Sequence, residues 1–216
     1  KRVDYNDIKK ILDLFSIKFG WKKIYEGENL IGLSDKDKSI TLEPGNQIEL
    51  SGDKHLNIHG VCAESFDFQH KLKEVCLILG FNTLAVGYDP VSNLDDVPSN
   101  PKKRYEIMSN YMPKVGQHGL DMMKRTTTIQ ANFDFSSTED MQIKMRVAQS
   151  LQPCIIALYA NSPFINGKLT EYQSYRSYIW TKTDNSRTGL LKFIYNKDFC
   201  FEDYTDYLLD IPMYFI

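Results

Sequence analysis

The sequence lacks the two glycine-rich motifs by which the most common nucleotide-binding folds hold phosphates. It contains no G-x-G-x-x-G, and Gly167-Lys168 has no upstream glycine to complete a P-loop. Long apolar stretches are absent too: the longest run, Cys154–Ala160, has seven residues, and a membrane-spanning helix needs about 18. These absences argue against Rossmann-type or P-loop nucleotide binding and against a membrane-spanning protein.

Cysteine is scarce, and neither sign of charge dominates. The four cysteines are scattered and include no C-x-x-C pair, so they provide neither a zinc motif nor a disulfide framework. We therefore expect a reducing cytoplasm as the location. The 26 Lys and Arg residues are balanced by 28 Asp and Glu residues, for a formal net charge of -2. Such a balance favours neither nucleic acid nor membrane as a partner.

The chain has 216 residues, of which 42% are hydrophobic and 25% charged, as is typical of a globular protein. It begins with Lys1 instead of Met and ends within an apolar run, Ile211–Ile216, which has the pattern of a strand. We expect one domain over residues 1–216 that is part of a longer polypeptide.

Helical and strand patterns alternate irregularly and predict an α+β protein with an antiparallel sheet. Helices are predicted at Asp4–Phe19 with an end at Gly20, around Phe68–Leu79, at Arg104–Tyr111 with an end at Pro113, from the Ser136–Glu139 capping box to about Ala160 with a kink or break at Pro153, and near Phe201–Leu209. Strands are predicted in a hairpin over residues 21–34 around Gly27, in a hairpin at Ser39–Gly52, at Thr83–Gly87 and at Arg125–Phe135. Loops are predicted at Tyr88–Pro101 and Asn161–Leu169.

Two carboxylates share one face of the predicted Ser39–Gly52 hairpin. Pro44-Gly45 forms the turn, and polar and apolar residues alternate on each arm, with Glu43 on the first and Glu49 on the second. If the arms pair, these like charges repel each other unless a cation lies between them. A hard divalent metal ion fits that role. A plain solvated sheet face is the competing interpretation.

The predicted strand at Arg125–Phe135 has a polar face of a different kind. Its outward set consists of Thr126, Thr128, Gln130, Asn132 and Asp134. Solvated faces usually carry many Lys and Glu residues, whereas neutral hydrogen-bonding side chains are suited to a surface that binds polar ligands. The two strands together therefore predict a floor for a polar ligand.

Three arginines lie beside polar strand or loop residues and are candidates for anion binding. Arg is suited to bidentate binding of carboxylate or phosphate, although a surface charge is the simpler interpretation of any single Arg. Arg176 is surrounded in sequence by Tyr175, Tyr178 and Trp180; the other two are Arg125 and Arg187.

Five sequence blocks resemble the plant and proteobacterial type of glutamate–cysteine ligase. They occur in one order and cover most of the chain after the first helix: Ile40–Gly52, Arg104–Ser137, Leu151–Phe164, Ser174–Gly189 and Asp206–Ile216. The resemblance implies part of a catalytic core like that of glutamine synthetase, a curved antiparallel sheet with flanking helices. It also implies ATP-dependent ligation of the glutamate γ-carboxylate to cysteine through a γ-glutamyl phosphate, the first step of glutathione biosynthesis.

The same resemblance implies roles for individual residues. Glu43 and Glu49 would bind Mg²⁺, and Gln130 and Asn132 would face the metal–phosphate centre. Arg176 would hold a substrate carboxylate, that of glutamate. The further substrate-binding candidates are Arg125, Arg187, Tyr178 and Trp180.

This sequence departs from the family pattern in two ways. Asn46 stands where members of the family usually have the second Gly of an E-P-G-G-Q turn. Flanking E-H-E-K-F-like and E-M-R-G-A-D-like motifs, which would supply further metal or phosphate ligands, do not occur in these 216 residues. We therefore expect little ligase activity from this stretch alone. A γ-glutamyl ligase for another amine and a non-catalytic fragment that binds only glutamate or nucleotide remain the alternatives.

Overall fold

The computed structural model describes residues 2–213, and it confirms an α+β protein with antiparallel sheet. Within that range there are seven α-helices, a four-stranded sheet and a two-stranded sheet. None of these helices is both long enough and apolar enough to cross a membrane. The described chain divides into two compact units, one formed by residues 2–85, 92–106 and 123–125 and the other by residues 86–91, 107–122 and 126–213. The expectation of a single domain stays a prediction.

The first unit contains the larger sheet. Its elements are α1 (Tyr5–Phe19), β1 (Lys22–Glu26), β2 (Asn29–Asp35), β3 (Lys38–Leu42), β4 (Ile48–Ser51) and α2 (Ile58–Ile78). The four strands pair antiparallel in chain order, as successive hairpins do. Both predicted hairpins are therefore confirmed, and Gly27 has the positive φ of 58° that the tight turn between β1 and β2 requires.

Helix α1 begins and ends as its sequence predicts. The side chain of Asp4 accepts a hydrogen bond from the backbone N–H of Asp7, and Gly20 ends the helix in the left-handed conformation. The apolar face of α1 packs with the inner faces of β2 and β3 and with α2 in one core. Its fully buried members include Ile8, Leu12, Phe15, Leu30, Leu33, Ile40, Leu42 and Val75. This core fixes the register of β3, because a shift by one residue would turn its apolar side chains outward.

The second unit is mainly helical. Its own elements are α5 (Thr138–Leu158), β5 (Phe164–Ile165), β6 (Lys168–Leu169), α6 (Tyr175–Trp180) and α7 (Phe201–Asp210), while α3 (Lys103–Val115) and α4 (Gly119–Arg125) contribute residues to both units. Short 3-10 turns lie at Leu94–Asp96 and Lys192–Tyr195. Two small cores stabilise this unit, one around Tyr88, Tyr175 and Ile179 and one around Met141, Ile194 and Phe199.

The strand predicted at Arg125–Phe135 is wrong. Arg125 ends α4, Thr126 makes one isolated antiparallel bridge to Tyr88, and residues 127–135 follow an irregular path. A strand needs a neighbouring backbone that supplies hydrogen bonds along its length. Within residues 2–213 this segment finds such a partner only at its start, so the segment does not form a strand despite its alternating pattern. The strand predicted at Thr83–Gly87 is wrong for the same reason.

Several predicted boundaries also differ from the structure. Pro113 lies inside α3, and Pro153 lies inside a continuous α5, so neither ends or breaks its helix. The predicted loop at Asn161–Leu169 contains the short β5–β6 hairpin, whose turn residues Asn166 and Gly167 both have positive φ. The helix after the predicted capping box is confirmed, but the cap is Ser137, which accepts from the backbone of Asp140. The apolar run Ile211–Ile216 extends beyond the described residues.

Candidate active site

Glu43 and Glu49 lie on one face of the β3–β4 hairpin. Thr41 is paired with Glu49, and the backbone N–H of Glu43 donates to the carbonyl of Gln47 at 2.9 Å. Glu43 and Glu49 are thus diagonal neighbours across the ladder, a relationship that places side chains about 7–8 Å apart at their bases. Both are partly buried. The pairing predicted from the alternation is confirmed.

The turn between these strands is anchored by Gln47, which belongs to it, and by Arg2 near the start of the chain. Gln47 accepts a hydrogen bond from the backbone N–H of Gly45 at 2.8 Å and donates to the carbonyl of Met123 at 3.2 Å. Arg2 donates to the carbonyl of Gly45 at 2.5 Å and to that of Lys124 at 3.3 Å. Carbonyls in the last turn of a helix have no partner within the helix. Gln47 and Arg2 thus satisfy two carbonyls at the end of α4 and hold the turn beside Glu43.

Gly45 and Asn46 suit this turn for different reasons. A Cβ on Gly45 would lie 2.2 Å from the carbonyl oxygen of Lys124, so the close approach of the two backbones leaves no room for a side chain. Asn46 adopts a φ of 63°, a conformation that Asn tolerates better than most residues. Asn46 thus preserves the turn without a second glycine.

The environment of Glu43 favours neutralisation of its charge. Burial, followed by repulsion from Glu49, raises the pKa of the Glu43 carboxyl above its ordinary value. Lys102, a hydrogen bond from Tyr105 and Arg104 act in the opposite direction but do not cancel the rise. Burial likewise lowers the pKa of the Lys102 ammonium. A carboxylate of this kind gains more than an exposed one from a cation at close range.

Sequence reasoning missed two residues that contact this end of β3. Lys102 and Tyr105 are 9% and 3% exposed, and both donate to the carbonyl oxygen of Leu42 at 2.8 Å. The phenol oxygen of Tyr105 also lies 3.3 Å from Oε1 of Glu43. Lys102 immediately precedes α3 and Tyr105 lies in its first turn, about 60 residues later in the chain, so no local pattern connects them with the hairpin. The feature that marks Lys102 is its burial, and burial is not visible in the sequence.

The donor set of the hairpin suits a hard cation. Carboxylate oxygens are preferred by Mg²⁺, which is commonly held by one or two carboxylates together with substrate phosphates and water. Within the described part of the chain no group of three or more His, Cys, Asp and Glu side chains could hold a metal ion. The Glu43–Glu49 pair could therefore supply two carboxylates to a hard divalent cation but could not enclose it.

In the second unit, α6 presents Arg176 with free hydrogen-bonding capacity. Its Nε donates to the carbonyl of Thr127 at 3.1 Å, and its backbone N–H donates to the hydroxyl of Ser162 at 3.2 Å. Burial lowers the pKa of its guanidinium, and no carboxylate in residues 2–213 forms an ion pair with it. A partly desolvated cation without an acidic partner is a natural binding point for an anion.

Of the three aromatic residues that lie near Arg176 in the sequence, Trp180 contacts its guanidinium. Its guanidinium carbon lies 5.8 Å from the centroid of the Trp180 ring. The indole N–H of Trp180 is buried, and no acceptor among the described residues meets it. Tyr178 stacks on Tyr172 with ring centroids 4.5 Å apart. Arg176 and Trp180 thus offer two kinds of unused donor on the same helix.

Arg187 contacts other residues of the protein, and Arg125 is buried. Arg187 forms an ion pair with Asp184, which is 3% exposed, and donates to the hydroxyl of Tyr111 at 3.1 Å. It also donates to the carbonyl of Pro212. Arg125 is 3% exposed in the last turn of α4. A substrate contact for either residue stays a prediction.

Gln130 and Asn132 are exposed residues of the irregular segment that follows α4, in the second unit. The carboxylates belong to the first unit. Because the predicted strand does not form here, its alternation gives no common face to these two side chains. Their placement at a metal–phosphate centre stays a prediction.

A buried polar network in the second unit was also missed. The hydroxyl of Tyr88 donates to Asp121 at 3.0 Å, and Nδ1 of His118 lies 2.9 Å from the other carboxylate oxygen. The His118 ring contacts Tyr175 and Tyr178, with centroids 6.3 and 5.8 Å apart. The network therefore supports the aromatic side of α6. The spacing of His118 and Asp121 at the start of α4 was the only trace of it in the sequence.

Comparison with known proteins identifies what the chain resembles. The family model described as glutamate-cysteine ligase family 2 matches residues 6–216. Among curated relatives, a chloroplastic glutamate–cysteine ligase of Nicotiana tabacum is 50% identical over 98% of this chain and 41% of its own length. Chloroplastic glutamate–cysteine ligase A of Oryza sativa subsp. japonica is 50% identical over 99% of this chain and 44% of its own length. The chloroplastic glutamate–cysteine ligase of Arabidopsis thaliana is 48% identical over 98% of this chain and 40% of its own length.

These relatives bear on two earlier expectations. The chain spans about two fifths of the length of the curated relatives it matches. The cytoplasmic location expected from the cysteines is contradicted, because these relatives are named as chloroplastic proteins. A chain without a disulfide framework is compatible with more than one compartment, so its cysteines do not distinguish the cytoplasm from the chloroplast.

Proposed function

This chain belongs to glutamate-cysteine ligase family 2, and we propose that the protein it forms part of joins L-glutamate to L-cysteine with ATP, the first step of glutathione biosynthesis. The observation that carries the proposal is about 50% identity over nearly the whole chain to glutamate–cysteine ligases. The names of these relatives also support the chloroplast as its location. In the chemistry of such a ligase, the γ-phosphoryl group of ATP moves to the γ-carboxylate of glutamate, because an oxide is too poor a leaving group for direct amide formation. The amine of cysteine then displaces phosphate from the acyl phosphate.

The two carboxylates of the hairpin support the nucleotide side of this reaction. Phosphoryl transfer depends on positioning and on neutralisation of charge more than on covalent participation by the protein. Magnesium, when bound, supplies that neutralisation at the phosphate oxygens. Glu43 and Glu49 would hold the ion from one side, and the rigid ladder between β3 and β4 keeps the two side chains on the same face.

Arg176 supports the glutamate side. A guanidinium binds a carboxylate through two parallel N–H donors, and Nε of Arg176 is already directed to the carbonyl of Thr127. The terminal amino groups would therefore receive the substrate carboxylate, and the buried indole N–H of Trp180 provides a further donor nearby. Tyr178 would bound the site as an aromatic wall.

A core like that of glutamine synthetase is part of the same proposal. In such a core a curved antiparallel sheet would carry the site, and Gln130 and Asn132 would face the metal–phosphate centre. The antiparallel sheet of β1 to β4 supports this expectation. Arg125 and Arg187 would then serve as outer contacts to substrate or phosphate.

The decisive experiment measures ADP release by the full-length protein with ATP, glutamate and different amines. The proposal requires that cysteine support release and that γ-glutamylcysteine accumulate in equal amount. Release with another amine in preference to cysteine would make the protein a γ-glutamyl ligase of different specificity. Binding of glutamate or nucleotide without release would indicate a non-catalytic relative. The 216-residue chain, assayed in parallel, shows whether this stretch is sufficient for the reaction.

A further inference from the structure

The carbonyl oxygen of Leu42, one residue before Glu43, accepts hydrogen bonds from two buried side chains. Nζ of Lys102 and the hydroxyl of Tyr105 both approach it at 2.8 Å. A carbonyl oxygen has two lone pairs, so these two donors use the full hydrogen-bonding capacity of the Leu42 oxygen. Leu42 is the last residue of β3. The same peptide segment is also held by Asn100, whose amide donates to the carbonyl of Glu43 at 2.6 Å.

Of the two donors to Leu42, only Tyr105 also reaches the side chain of Glu43. Its phenol oxygen lies 3.3 Å from Oε1, and one phenolic hydrogen serves both acceptors. The ring itself is fixed, because Tyr105 is 3% exposed and is flanked by Lys102 and Arg104, whose cationic groups lie 5.3 and 5.1 Å from its centroid. The carboxylate of Glu43 is thereby restrained through one oxygen, while the other stays available.

We propose that Tyr105 is a positioning residue that orients the carboxylate of Glu43 for the divalent cation. The inference rests on the proposed function, since it assumes that Glu43 and Glu49 bind that ion. Groups that hydrogen-bond to a metal ligand fix its orientation, and their loss typically weakens metal binding by about 10-fold or more. Lys102 shares the anchoring of Leu42 but has no hydrogen bond to Glu43.

The test is a Mn²⁺ titration of the full-length protein, followed by the electron paramagnetic resonance signal of the free ion. Tyr105→Phe keeps the ring and leaves Leu42 with the Lys102 donor, so the backbone carbonyl stays satisfied. We expect its Mn²⁺ dissociation constant to rise about 10-fold. In steady-state assays the Mg²⁺ concentration for half-maximal rate should rise, with a smaller change in kcat.

Lys102→Met is the matched control. It removes the other hydrogen bond to Leu42 and leaves the Tyr105–Glu43 contact in place, so Mn²⁺ affinity should not fall. If both variants weaken Mn²⁺ binding equally, the loss arises from the shared hydrogen bonds to the Leu42 carbonyl and not from the Tyr105–Glu43 contact. That result would overturn the inference. In a Glu43→Gln background, Tyr105→Phe should cause no further loss, and an undiminished loss there would overturn it as well.

Glu49→Gln separates failure of the inference from failure of the proposed function. If Glu49→Gln lowers Mn²⁺ affinity and Tyr105→Phe does not, the metal site stands and the role of Tyr105 is refuted. If Glu49→Gln itself leaves Mn²⁺ binding unchanged, the metal assignment in the proposed function is wrong, and the inference falls with it.

Discussion

The guanidinium carbon of Arg176 lies 5.8 Å from the ring centroid of Trp180, four residues later on α6. Residues four apart are neighbours on a helix surface, so this contact follows directly from the helical conformation. It holds the cation over an aromatic face while its terminal amino groups stay available, and the indole N–H beside it is buried without an acceptor in residues 2–213. The arrangement leaves donors ready for an anion.

Arg176→Ala should raise the KM for glutamate by more than it raises the KM for ATP, because it removes the proposed carboxylate partner. Loss of a charge-assisted bidentate contact corresponds to roughly 10-fold or more in affinity. Steady-state kinetics with each substrate varied in turn provides the measurement. The reverse pattern would assign Arg176 to the nucleotide.

Arg187→Ala is the matched control for that variant. Arg187 forms an ion pair with Asp184, which would be left buried without its cation. We expect a lower free energy of unfolding, by about 2 kcal/mol, together with a smaller effect on the KM for glutamate. Denaturant unfolding and kinetics on the same preparations separate the two roles.

Glu49→Gln should reduce turnover by orders of magnitude and leave the fold intact. The amide has nearly the same shape but cannot supply the negative charge that magnesium requires. Since Glu49 is only partly buried on a strand whose core contacts are made by Leu50 and Ile48, thermal unfolding should hardly change. Turnover close to that of the unmodified protein would refute the metal assignment.

Glu43→Gln should stabilise the metal-free protein at neutral pH. The pKa of Glu43 is raised in the folded state, chiefly by burial, so above the ordinary carboxyl range its ionised form destabilises the fold. The neutral amide avoids this cost, and its advantage should disappear as the pH falls through the pKa of Glu43. Thermal unfolding in chelator from pH 4 to about pH 8 measures the difference. A variant less stable than the unmodified protein at pH 7 would contradict the sign.

Gly45→Ala should destabilise the protein, whereas Asn46→Gly should be nearly neutral. A Cβ at position 45 would overlap the backbone carbonyl of Lys124, and backbone cannot move aside as a flexible side chain can. Such overpacking costs about 1–3 kcal/mol. Glycine at position 46 adopts the observed φ of 63° without strain. Chemical denaturation of both variants measures the contrast, and equal stability would contradict it.

Local patterns in the sequence predicted the parts of the fold that depend on nearby residues. The spacing of Ile8, Leu12 and Phe15, with Asp4 and Gly20 at the ends, gave α1 its face and its limits. The alternation around Pro44-Gly45 predicted the hairpin and the shared face of Glu43 and Glu49, because strand period and turn chemistry act within a few residues. The blocks that resemble the ligase family carried the family assignment, which the comparisons confirm.

The tertiary structure decided what depends on partners distant in the chain. An alternating pattern at Arg125–Phe135 did not form a strand, because a strand exists only where another backbone pairs along its length, and in the described residues this segment finds one only at Thr126 and Thr127. Proline at positions 113 and 153 was accommodated within α3 and α5. The contacts of Lys102 and Tyr105 with Leu42 and Glu43 cross about 60 residues. Sequence alone thus determined the carboxylate pair and its family, and only folding determined which side chains surround it, since burial and long-range hydrogen bonds arise when distant segments meet.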